Sequence, residues 1–205
     1  MIIGAYKSLI CYEYFENYGH LQRSSFVRLA RLRQINPRKK LSGIYGWPVH
    51  SIGGLWRGQW KSIYKTDEEQ QENPFPQWWA GQPLEAQQEM NRKAREVIAQ
   101  GNVIGDFRYS VCCEGLPALF VFVTADLEVR VQRALLLQVN KDKTTKQIRG
   151  ELLNRETEEI RIGKQQFGDG YDYRNLEQYN VVVNSGLLSL EQETAIVKSK
   201  MLARV

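Results

Sequence analysis

Residues 2–15 are apolar on both alternating faces, with Ile10, Tyr12 and Tyr14 on one parity and Leu9, Cys11 and Phe15 on the other. That pattern predicts an interior strand, because a strand covered on both sides has no polar face. Glu16-Asn17-Tyr18-Gly19 reads as the turn that follows it. Residues 24–35 space Phe26, Leu29, Ala30 and Leu32 along a helical face, opened by Ser24 or Ser25 and stopped by Asn36-Pro37. A strand remains the alternative there. Residues 41–65 interleave five glycines with Tyr45, Trp47, Trp56, Trp60 and Tyr64, which suits short bent strands.

Residues 66–83 are polar and then broken by Pro74 and Pro76, as expected of a linker or long loop. Leu84, Met90, Ala94, Val97 and Ile98 form a 3.6-period stripe that predicts a helix over 84–100, with Gly101 as its C-cap. Residues 103–140 read as the strand-rich core, with strands over Phe107–Cys113, Leu119–Thr124 and Glu128–Val139. Thr144-x-x-Gln147 is a capping box that opens a helix to about Glu159. The last residues read as two helices, one over 174–184 and one starting at Ser189, separated by Ser185-Gly186. The expected fold is α+β: an antiparallel sheet with packed helices and a C-terminal helical hairpin. The expected organisation is a basic, aromatic-rich region over 1–65, a linker over 66–83, an α+β core over 84–170 and the hairpin over 171–205.

Charge changes this picture. The first 65 residues hold eleven Lys and Arg against two acidic residues, about +9, and half of the chain's aromatic side chains. The remaining 140 hold seventeen against twenty-one, about −4. Cations neutralise phosphates and aromatic rings stack on bases, so the basic end is a candidate nucleic-acid surface. Its candidate contacts are Arg28, Arg31, Arg33, Arg38, Lys39, Lys40, Arg57 and Lys61. The plainer alternative is a solvated basic surface over an aromatic core, in which Trp56 and Trp60 pack inward.

Other chemistry is sparse. Cys11, Cys112 and Cys113 are odd in number and contain no CxxC, which fits reduced thiols in a cytoplasmic protein. His20 and His50 are too scattered to complete a zinc site with them. Neither GxxxxGK[ST] nor GxGxxG occurs, so no phosphate cradle of those types and no cofactor is expected. The longest apolar run, Leu116 to Ala125, is too short to cross a bilayer, and the first residues lack the pattern of a secretory signal.

Gly43-Ile44-Tyr45 resembles the opening of the GIY-YIG nucleases. The resemblance implies roles for Tyr45 and Arg57 beside a metal-bound phosphodiester. Ser51 stands where that family has its second tyrosine. Asp126 ahead of Gln138-x-x-Lys141 is a second, looser nuclease-like pattern. Residues 176–202, with Gly186-Leu187-Leu188-Ser189 and then Lys198-Ser199-Lys200-Met201-Leu202, resemble the SHOCT module. That resemblance implies an assembly role at the chain's end.

These features together predict a non-enzymatic, nucleic-acid-associated protein that self-assembles through its C-terminal helices. The alternatives are a structural component joined head-to-tail through its oppositely charged parts, and a metal-dependent nuclease. Expected partners are nucleic acid and further copies of the chain, and no membrane.

Overall fold

The computed structural model describes residues 9–14, 37–137 and 140–202. Among the described residues five strands form one sheet: β1 (Leu9–Tyr14), β2 (Val49–Ser51), β3 (Ile104–Phe107), β4 (Ala118–Thr124) and β5 (Val181–Asn184). Their order across the sheet is β2-β3-β1-β4-β5, and every neighbouring pair is parallel. The expected antiparallel sheet is therefore corrected to a parallel one. The physical reason is the connections. Between β2 and β3 and between β4 and β5 the chain runs through helices, and between β3 and β4 through a 3-10 turn, and each connection carries it back to the starting edge, which a parallel pair requires.

The interior strand expected over 2–15 is the central one. Ile10 lies between Ile104 and Leu119, and Tyr12 between Asp106 and Val121. The run Ala118-Leu-Phe-Val-Phe-Val-Thr of β4 splits its side chains between two covered faces. Leu119, Val121 and Val123 point to the same core as Val181, Val183 and Leu41. Phe120 and Phe122 point to the opposite side.

Helices cover both faces. On one lie α1 (Pro37–Tyr45), through Leu41, and α8 (Leu190–Leu202), through Val197 and Met201. On the other lie α5 (Leu84–Ala99), through Ala94 and Ile98, and α7 (Thr145–Phe167), through Ile162. The flank of α7 receives α6 (Leu127–Leu135): Val131 and Ala134 pack on Ile148 and Leu152. Layers on both faces explain why these strands are apolar throughout.

Several elements differ from the sequence expectation. Residues 41–65 are mostly helical, because α1 is followed by the short β2 and then by α2 (Ile52–Ile63). Ser51 caps α2 by accepting from the Gly54 amide, and Trp56 and Trp60, one turn apart, share its buried face. That shared face outweighs the helix cost of Gly53, Gly54 and Gly58. Residues 66–83 hold α3 (Asp67–Glu72), opened by a Thr66/Glu69 capping box, and α4 (Phe75–Ala80). Most of the expected strand over Glu128–Val139 is helix α6, and residues 138 and 139 lie outside the described residues.

The expected helical hairpin is corrected as well. Its first member is a 3-10 turn at Leu176–Gln178 followed by the edge strand β5, and only α8 is an α-helix. Val181-Val182-Val183 is a β-branched run, poor in helix propensity and well suited to an edge beside β4. The helices over 84–99 and from the Thr144/Gln147 capping box are as expected, the latter running on to Phe167. The helix expected over 24–35 lies outside the described residues. No helix among the described residues is long and apolar enough to cross a membrane.

Candidate functional site

In a parallel sheet the strand C-termini and the following helix N-termini meet along one edge, where ligands of such folds bind. Here that edge is lined with arginines. Ser51 ends β2, and its hydroxyl donates to Asp106 Oδ2 of β3 at 2.7 Å. Arg38, in the first turn of α1, pairs with the same carboxylate oxygen. The Arg57 guanidinium lies over the Phe75 ring at 5.5 Å from its centroid. It also comes within 3.2 Å of where a Cβ on Gly53 would stand, which places it beside the start of α2.

The residue after β3 is Arg108. It pairs with Glu159 of α7, and Arg155, one turn earlier on α7, donates from Nε to the same Glu159 Oε1 at 2.6 Å. The Glu159 side chain is 1% exposed, those of Arg108 and Arg155 23% and 26%. Glu159 Oε2 is buried and has no hydrogen-bond partner among the described residues. Tyr109 donates from its hydroxyl to the Glu159 carbonyl at 2.9 Å and so ties the end of β3 to α7. Burial first, and then the positive charges of Arg108 and Arg57, push Arg155 well below the ordinary guanidinium value. Arg155 thus has Arg108 and Arg57 as like-charged neighbours.

The row continues along the edge. Arg130 of α6 donates to the Ala125 carbonyl just after β4 and pairs with Glu156 of α7. Arg133 donates to Ser185 Oγ at 2.9 Å and to the Ser185 carbonyl at 2.5 Å, just after β5. Six arginines (38, 57, 108, 130, 133 and 155) thus gather along this edge, with Asp106, Glu156 and Glu159 among the carboxylates they meet. The N-termini of α1, α2 and α6 open on the same edge and add partial positive charge. Guanidinium forks in such a recess recognise phosphate or carboxylate in two-pronged fashion.

The sequence-predicted contacts divide. Arg38 and Arg57 belong to this row. Lys39 is exposed on α1, and Lys61 is exposed near the end of α2. Lys40 donates to Glu191 of α8 at 2.8 Å, on the side of the sheet that α8 covers. Arg28, Arg31 and Arg33 lie outside the described residues. Trp56 and Trp60 are buried, with Trp56 edge-on to Trp78 and Trp60 donating from Nε1 to the Asn73 carbonyl. Arg108, Arg130, Arg133, Arg155 and Glu159 escaped sequence reasoning because they come from the part of the chain that is acidic on balance. The available signal was Arg108, a cation directly after a strand. A cavity of about 410 Å³ lined by Ala80, Gln82, Leu84, Gln87, Arg161 and Gln165 shares none of the row's residues.

No protein-family model and no curated protein matches the chain. Among solved structures it is similar to an uncharacterized protein from Eubacterium ventriosum ATCC 27560, with a TM-score of 0.53 and 14% identity. The match covers 82% of this chain and 90% of that one, and at this identity it speaks to the fold alone.

Proposed function

We propose that the protein binds a phosphate-bearing ligand of nucleotide type along the C-terminal edge of its parallel sheet. The observation that supports this most is the partly buried set Arg38, Arg57, Arg108 and Arg155, gathered at the ends of β2 and β3 around Asp106 and Glu159. Clustering cations in a half-buried recess is unfavourable on its own, and an anion bound among them would relieve it. Partly buried guanidinium forks suit a compact phosphate group better than a flat surface of lysines would.

A nucleic acid strand offers the same chemistry and is the second reading. It is favoured by the exposed Lys39 and Lys61, which could follow a backbone beyond the recess. Thermal unfolding in the presence of inorganic phosphate, nucleoside monophosphates and triphosphates, and a single-stranded oligonucleotide tests both. Stabilisation by nucleotides at millimolar or lower concentration supports the compact site. Stabilisation by the oligonucleotide alone supports the strand. No shift with any of them contradicts the proposal.

A further inference from the structure

Cys112 and Cys113 follow β3 in a 3-10 turn at Ser110–Cys113, remote in role from the arginine row. Both carry thiols, and their sulfurs stand 3.7 Å apart. The turn is fixed by Cys112 N donating to the Tyr109 carbonyl and Glu114 N to the Val111 carbonyl. Arg95 of α5 clamps it from outside by donating to the carbonyls of Cys112, at 3.1 Å, and Glu114, at 2.7 Å. Cys113 is fully buried against α5 and the sheet, while Cys112 is partly exposed.

Geometry decides what such a pair can do. A direct bond would draw the sulfurs to about 2.05 Å, between residues whose Cα atoms are about 3.8 Å apart and so closer than disulfides favour. A single atom bridging both sulfurs with bonds of about 2.3 Å, the length typical of metal–thiolate bonds, would subtend an angle of about 107° at the observed separation. The sulfurs are therefore spaced for one shared ligand atom and not for each other. We infer that Cys112 and Cys113 form a chelating dithiol site for a soft, trivalent arsenical. Both thiols lose their protons, two As–S bonds form, and the arsenic-bound oxygen leaves with those protons as water. Arsenic stays trivalent, so no oxidant is required.

The test uses the reduced full-length chain and phenylarsine oxide, read by intact mass. One arsenical per chain is expected, retained in excess glutathione and released by 2,3-dimercaptopropanol. Cys112→Ser and Cys113→Ser are each expected to lower the glutathione-resistant occupancy at least tenfold, and Cys11→Ser to leave it unchanged. Cys112→Ser changes the partly exposed member, so it decides the matter even where the buried Cys113 variant fails to fold. An absent adduct in the unmodified chain, one that glutathione strips, one that survives Cys112→Ser, or one lost with Cys11→Ser overturns the inference.

Discussion

Arg155 and Glu159 sit one turn apart on α7 and meet at 2.6 Å, the carboxylate buried and the guanidinium about a quarter exposed. The pair is more than a helix-surface contact, because Arg108 reaches the same carboxylate oxygen from the end of β3. One buried anion thus holds two cations together. Replacing it removes the carboxylate that both cations share. Glu159→Gln is expected to destabilise the protein by about 3–5 kcal/mol, the usual cost of stripping a buried ion pair of one partner. Chemical denaturation measures that cost. Added sulfate is expected to restore more stability to the variant than to the parent chain, since an external anion then takes the carboxylate's place. Equal stability of the two chains in dilute buffer would contradict this role.

Much of the fold was legible where one physical signal dominated. The stripe of α5, the capping box of α7 and the apolar run of β4 each point to a single conformation. The centrality of β1 was visible in its two apolar faces. Strand direction was not visible, because a buried strand looks alike in a parallel or an antiparallel sheet. The crossover that would have revealed it was masked in α6, whose Glu128-Val129-Arg130-Val131 alternates like a strand while Val131 and Ala134 pack as a helix. α2 was masked by its glycines. Of the site, Arg38 and Arg57 could be named from charge alone. Arg108, Arg155 and Glu159 are brought together only by the packing of α7 against the end of β3.

Gly105 is set by a close approach. A Cβ there would stand 2.6 Å from Ile98 Cδ1 and closer still to the Phe107 ring. Both neighbours are buried, so neither can swing away. Gly105→Ala is expected to cost about 1–3 kcal/mol through overpacking. A denaturation midpoint unchanged from the parent chain would show that the α5–β3 contact is looser than described.

Asp172 governs part of the acid limb of stability. Hydrogen bonds from the Arg174 side chain hold its carboxyl below the ordinary aspartate value. A carboxylate depressed in the folded state contributes stability that is complete above the unfolded value of about pH 4 and is lost as pH falls through the lowered folded value. Asp172→Asn is therefore expected to lower stability near neutrality and to flatten its decline on acidification. Parallel stability–pH curves for the two chains below pH 4 would contradict it.

The cationic edge is tested most directly by titrating nucleotides into the parent chain, Arg57→Gln and Lys61→Gln, followed by calorimetry at fixed salt. A charged hydrogen bond lost from the recess is worth about 1.5–3 kcal/mol, so Arg57→Gln is expected to weaken binding about 10–100-fold. Lys61→Gln, exposed on the same helix, is expected to leave the affinity within about twofold of the parent, as a rim charge that touches no ligand would. Equal loss in both variants, or none in either, would contradict a recessed phosphate site at the end of the sheet.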